Sequence, residues 1–190
     1  MAKRVYFAFH YQDVVDFRAH VVRNHNFVEG VKSAGYYDYS IWEDAKKTSP
    51  SAIKKLIDDE LKNTSVTIVL IGTETWARRW VRYEIFKSIQ RNNLVFGIHI
   101  NSIKGRDGQT KPLGPNPFNN LAFDIASNGD LIRPTEWKNG QWQYVTDLEP
   151  YAPGTQPHPF SGQHIRLTYW HTTYDWVNDQ GYENFNSWIA

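Results

Sequence analysis

Between Trp76 and Gln90 the chain reads WARRWVRYEIFKSIQ, a basic and apolar run holding a single carboxylate, Glu84. With successive helical residues about 100° apart, Ala77, Val81, Ile85, Ser88 and Ile89 share one stripe, and Glu84 sits at its border beside Trp80 and Trp76. An anion lodged against half-buried indoles can stabilise a developing cation, because an aromatic wall lowers the local dielectric. The plainer alternative is an ion pair with Arg82, Lys87 or Arg91, worth roughly 0.2–1 kcal/mol if exposed. The neighbouring basic run Arg78, Arg79 and Arg82 reads most simply as a solvated helix face, although it could attract a phosphate.

Other chemistries find no support in residue spacing. The seven histidines, His10, His20, His25, His99, His158, His164 and His171, contain no H-x3-H pair and no acidic companion motif, so no metal site is expected. There is no phosphate-binding G-x-x-x-x-G-K-[ST] loop, no G-x-G-x-x-G after the first strand and no G-x-S-x-G elbow. With no cysteine, the chain has neither disulfides nor thiolate nucleophiles. A formal net charge of +1 provides no broad attraction for nucleic acid or an anionic membrane, and no apolar run approaches a membrane span. A cytosolic protein is expected.

The elements that must hold Glu84 follow from pattern. RVYFAFH, Arg4–His10, reads as a buried strand, and DVVDFRAHVV, Asp13–Val22, as a helix with Asp13 as its N-cap. YYDYSIWED favours a strand ending near Trp42. PSAIKKLIDDELKN is the clearest helix, with Pro50 in its first turn and Ile53, Leu56, Ile57 and Leu61 on one face. SVTIVLIG, Ser65–Gly72, and LVFGIHI, Leu94–Ile100, are strands suited to burial on both faces. Such alternation predicts βαβ units and a parallel sheet, with ligands at the carboxyl ends of its strands. That places attention on His10, Tyr11, Trp42–Asp44 and whatever follows Gly72.

From Asn101 the character changes. A Gly- and Pro-rich loop precedes two Asn-Gly pairs, Asn128-Gly129 and Asn139-Gly140, which predict a small antiparallel meander. The ending, YDWVNDQGYENFNSWI, reads as short helical pieces with Trp176, Tyr182, Phe185 and Trp188 packed inward. At 190 residues the chain suits one core with an elaboration: a domain over 1–120 and a C-terminal extension over 121–190 packed on it.

Three of these segments, in order, resemble the TIR domain family, and specifically its NAD-consuming members. RVYFAFHYQD is similar to the family's opening strand and the acid that follows it, with His10 where Tyr is usual. IWEDAKKTSPSAIKKLI resembles the second strand, the BB loop and the next helix, with Glu43 where many members carry Asp. TIVLIGTETWARRWVRYEI is the strongest match, since Trp80 and Glu84 reproduce the W-x-x-x-E of TIR NADases. The resemblance covers Lys3–Ile100; the aromatic extension narrows it to the TIR-like proteins of bacterial Thoeris anti-phage systems. Arg79, where Ser is common, and Tyr11, where some NADases place a pocket Arg, depart from the pattern.

The resemblance implies a flavodoxin-like, TIR-type α/β fold and Glu84 as the catalytic residue; the chemistry of the pocket adds Trp80 against the sugar or nicotinamide and Phe9, His10 and Trp42 as walls, with Tyr11 and Glu43 at the strand ends as further substrate-binding residues. It implies NAD+ as substrate rather than cofactor, a cyclic ADP-ribose isomer as product, and a separate ThsA-like effector that the product activates. Self-association, or a loop over the pocket from Lys46–Pro50 or Gly105–Pro117, would gate the activity. One carboxylate can suffice, because the leaving nicotinamide is already cationic and departs neutral, unlike the alcohol of an ordinary glycoside. Two further readings stay open: a non-catalytic TIR-type interaction module using Asp44–Ser51 and the tail aromatics, and a nucleoside deoxyribosyltransferase-like enzyme.

Overall fold

The computed structural model describes residues 4–25, 32–34 and 49–190. The β-branched, apolar runs form the strands of a parallel sheet: β1 (Arg4–Phe9), β3 (Val66–Ile71), whose six residues are all buried, and β4 (Leu94–His99). A short β2 (Lys32–Ala34) borders β1, and β9 (Thr173–Asp175) borders β4. The order is β2-β1-β3-β4-β9 with every neighbour parallel, the flavodoxin-like arrangement in which strand order reverses between β1 and β3. The strand expected over Tyr36–Asp44, and with it Trp42 and Glu43, lies outside the described residues, as does most of Lys46–Pro50.

Strand alternation divides the core. Val5 and Phe7 join Ile68, Leu70, Phe96 and Ile98 beneath α2 (Arg18–His25) and the terminal helix α5 (Gly181–Trp188). On the opposite face Tyr6, Ala8, Val69 and Ile71 meet α3 (Pro50–Leu61) and α4 (Arg79–Gln90). Helix α3 follows its sequence signals: Ser49 accepts a cap hydrogen bond from Ala52 N (3.2 Å), and Ile53, Ile57 and Leu61 are buried.

Two local expectations are corrected. The helix predicted over Asp13–Val22 is broken into α1 (Tyr11–Val15) and α2, with Phe17 in the left-handed region at φ 69° between them. Asp13 is no N-cap: it lies within α1 with its carboxyl buried at the end of β3, so tertiary burial overrides the local capping signal. Before α4, residues Thr75–Ala77 form a 3-10 turn and the helix proper starts at Arg79, which leaves Ala77 exposed and Trp76 39% exposed.

The extension forms a second, antiparallel sheet from β5 (Leu121–Ile125), β6 (Ile132–Lys138), β7 (Gln141–Tyr144) and β8 (His164–Arg166), ordered β7-β6-β5-β8. Asn139 and Gly140, at φ 53° and 79°, supply the tight turn from β6 to β7 that their identity predicts. This sheet packs on the outside of α4, with Phe123 edge-on to Phe86 at 5.3 Å between centroids. The tail is not wholly helical as expected; Thr173–Asp175 is the fifth strand of the parallel sheet and only Gly181–Trp188 is helix. Trp176 and Phe185 are buried and Trp188 stacks on Tyr174 at 4.2 Å, but Tyr182 is 52% exposed. The inward side of α5 is already filled by Trp176 and Phe185, which leaves Tyr182 with edge contacts to His25 and Trp176.

The Gly105–Pro117 segment is fastened to the sheet's end. Asn101 Nδ2 donates to Pro112 O (2.9 Å) and Asn101 Oδ1 accepts from Gly114 N (3.3 Å). The buried Arg18 guanidinium donates to Ile103 O (2.9 Å) and Gln109 O (2.7 Å).

Candidate active site

Helix α4 begins at the carboxyl end of the sheet and runs back across β1 and β3. Because the antiparallel sheet covers its outer side, Tyr83, Glu84, Ile85 and Phe86 are four consecutive buried residues, where an amphipathic surface helix would bury about half as many. Glu84 is thus not at a solvent-facing border but 5% exposed, on the side facing β1. Its Oε1 accepts a 2.6 Å hydrogen bond from the Tyr6 hydroxyl. Its Oε2 is buried and has no hydrogen-bond partner among the described residues. Burial drives the carboxyl up to about 8, against the downward pull of the Tyr6 hydrogen bond.

A buried acid with one oxygen held and the other free is costly for folding, since an unpaired buried polar atom costs about 1–3 kcal/mol. Such a group is a functional candidate on physical grounds. Polar contacts below it fix the helix: Ser88 Oγ donates to Glu84 O (2.7 Å), Thr67 Oγ1 to Ser88 Oγ (2.9 Å), and Asn93 Nδ2 to Thr67 Oγ1 (3.1 Å). The ion pairs considered for Glu84 are not formed. Arg82 pairs with Glu136, and the rest of the supposed solvated basic face is likewise engaged, Arg78 with Glu74 and Arg79 with Asp147.

At the strand-order reversal sits a second buried acid that sequence reasoning took for a cap. Asp13, 4% exposed, accepts from Thr75 Oγ1 (3.3 Å), which itself accepts from Gly72 N (2.9 Å). Burial raises the Asp13 carboxyl to about 6, while the Thr75 hydrogen bond and the charges of Lys111, Arg18 and Arg78 hold it lower. Asp13 therefore ties the loop after β1 to the loop after β3. Its signal was present: an acid three residues beyond the strand-end His10, at the position where ligands approach such sheets.

The residues named from sequence are distributed as follows. His10, half-buried, follows β1, and its carbonyl accepts from Asp13 N (3.0 Å); Tyr11 opens α1 and is 45% exposed. Trp80 is partly buried against the cluster containing Tyr6, with its ring under the Arg79 guanidinium at 4.6 Å and edge-on to Tyr83 at 6.1 Å. Phe9 packs against the opposite cluster, so the structure does not bring it to Glu84: strand alternation assigns that face to Tyr6 and Ala8. Tyr6 is the contact that sequence reasoning missed, because a tyrosine inside a buried strand has no local signature of its partner. Trp42 and Glu43 lie outside the described residues. Among the described residues no group of His, Cys, Asp and Glu could hold a metal ion, and no helix is long and apolar enough to cross a membrane.

A parallel sheet in flavodoxin order, whose third strand leads into a helix carrying W-x-x-x-E with its glutamate buried against the first strand, defines a TIR-like domain. Residues 6–104, just over half of the chain, match the family described as Thoeris protein ThsB, TIR-like domain, and the chain belongs to that family. Along its full length it is 50% identical over 191 residues, with 100% of both chains covered, to a Bacillus cereus (strain MSX-D12) protein named, provisionally, cyclic ADP-D-ribose synthase ThsB1. The likeness therefore includes the antiparallel extension as well as the TIR-like part.

Proposed function

We propose that this protein is an NAD+-consuming cyclase of the Thoeris type. It cleaves the nicotinamide–ribose bond of NAD+, closes the ADP-ribose on itself, and signals through that product to a separate ThsA-like effector. The observation that carries this reading is the buried Glu84 carboxyl of W-x-x-x-E, with Oε1 held by Tyr6 and Oε2 without a hydrogen-bond partner among the described residues. Full-length identity to a relative named as a cyclic ADP-D-ribose synthase supports the reaction class.

In the reaction the C1′–nitrogen bond breaks and its electron pair passes to the pyridinium nitrogen, so nicotinamide leaves neutral and positive charge moves onto the sugar. Ionised Glu84 stabilises that charge through Oε2, and burial excludes the water that would otherwise compete with ring closure. A nucleophilic atom elsewhere in the same ADP-ribose then captures C1′ and gives up its proton. We assign substrate contacts to His10 and Tyr11 after β1 and to Trp80 on α4, and from the sequence pattern to Trp42 and Glu43. Asp13 acts indirectly, by holding the two loops together.

Burial keeps Glu84 protonated in the free enzyme at neutral pH, and the approach of a cationic substrate favours its ionised form. The rate of nicotinamide release at low NAD+ should therefore rise about tenfold per pH unit below pH 8 and level off above it. Tyr6→Phe removes the hydrogen bond that Oε1 accepts, so the rise should move to higher pH. A wild-type profile flat from pH 6 to 9 would argue against Glu84 as the ionising group. The reading as a whole is tested by mass spectrometry of lysates from phage-infected cells expressing the wild type or Glu84→Gln. Cyclised ADP-ribose is expected only from the wild type.

A further inference from the structure

The helix that carries Glu84 is gripped on its far side by the extension. Around α4, Arg79, Arg82 and Phe86 recur at i, i+3 and i+7 and fall within a stripe of about 60°, while Glu84 projects roughly 140–160° away from them. Each member of that stripe meets a residue beyond position 120. Arg79 makes a bidentate pair with Asp147, Nε to Oδ2 at 2.7 Å and Nη2 to Oδ1 at 2.6 Å. Arg82 Nε lies 2.8 Å from Glu136 Oε2, and Phe86 meets Phe123. Asp147 also takes Lys54 of α3 at 3.2 Å, so it bridges the two helices that cover this face of the sheet. Both acids are well enclosed, with side-chain exposures of 14% for Glu136 and 13% for Asp147.

We infer that the antiparallel extension sets the rotation of α4 about its axis, and so the depth at which Glu84 meets substrate, with Glu136 and Asp147 as its positioning residues. This rests on the reading of Glu84 as the reacting carboxylate. Packing on an apolar sheet face limits a helix's height but restrains its roll weakly, because apolar contact is non-directional. On the sheet side the Tyr6–Glu84 and Thr67–Ser88 hydrogen bonds hold the helix, and the directed ion pairs on the far side supply the opposing restraint on its roll. With side-chain tips about 5–6 Å from the axis, a roll of about 10° displaces a carboxylate by about 1 Å. A misplacement of that size can cost about a hundredfold in rate.

The test compares Glu136→Gln, Asp147→Asn and the double variant with wild type, reading cyclised ADP-ribose per soluble molecule from infected cells and the melting temperature of each purified protein. Each single variant should lose product about tenfold and the double about a hundredfold. Melting should fall by no more than about 2–4 °C per pair, the size expected of a partly exposed ion pair. The exchange Arg82→Glu with Glu136→Arg should restore product to within about threefold, a rescue that loss of packing would not give. Wild-type yield from the double variant, or loss that merely tracks loss of folded protein, would overturn the inference. Glu84→Gln run alongside separates the two levels. Product from Glu84→Gln defeats the functional reading itself, whereas an inactive Glu84→Gln beside a fully active double variant defeats only the positioning role.

Discussion

Glu84→Gln is expected to abolish product while making the protein harder to unfold at alkaline pH. The carboxyl is held near 8 in the folded chain against an ordinary value of 4.5, so the folded state binds its proton more tightly than the unfolded state does. Stability from the neutral form is complete below about pH 4.5 and is lost as pH rises through about 8. The full loss is on the order of 4–5 kcal/mol, at about 1.36 kcal/mol per pH unit separating the two values. Glutamine keeps the shape and still accepts from Tyr6, but it cannot ionise. The melting temperature of Glu84→Gln should therefore match wild type at pH 5 and exceed it by about 10 °C at pH 9. Parallel melting curves at every pH would show that burial does not perturb this acid. Gain in stability with total loss of activity is the signature of a residue kept for chemistry.

Gly114→Ala should be among the most damaging small substitutions in the chain. A methyl group at position 114 would stand 2.0 Å from Gly72 O and 2.8 Å from Gly72 C, backbone atoms that cannot swing aside. Gly72 is closely lined in turn, since a Cβ there would meet the Asp13 carboxyl. The loop must lift, breaking the Asn101 bonds to Gly114 and Pro112. Overpacking plus lost hydrogen bonds predicts a cost of about 3 kcal/mol and a melting temperature lower by about 6–12 °C. Gly108→Ala is the internal comparison: its φ of 73° carries a backbone cost of about 1 kcal/mol, but nothing lies within 4 Å of its added methyl. Equal melting of the two variants would refute the close approach at Gly114.

Legibility in the sequence tracked how local each determinant is. The run VTIVLI announces a two-sided strand, Pro50 and the Ile53–Ile57–Leu61 spacing announce a helix, and Asn139-Gly140 announces its turn, because each depends on neighbours a few positions away. The special status of Glu84 was legible from type and spacing; its depth was not, since the Tyr6 hydroxyl it is buried against belongs to the first strand, 78 residues upstream. Asp13 misled for the same reason. Its helix-start chemistry is local, whereas Thr75 and Gly72, which decide its burial, arrive from about sixty residues downstream. Alternation separates Phe9 from Tyr6, although both belong to one apolar run.

The last strand of the parallel sheet has a consequence for synthesis. Among the described residues β4 gains its outer neighbour from Thr173–Asp175, and α5 closes the layer beneath. A nascent polypeptide can pair its first four strands while still tethered, but it exposes the edge of β4 until Thr173–Asp175 has emerged. A chain stopped before Thr173 therefore presents an open-edged, aggregation-prone sheet.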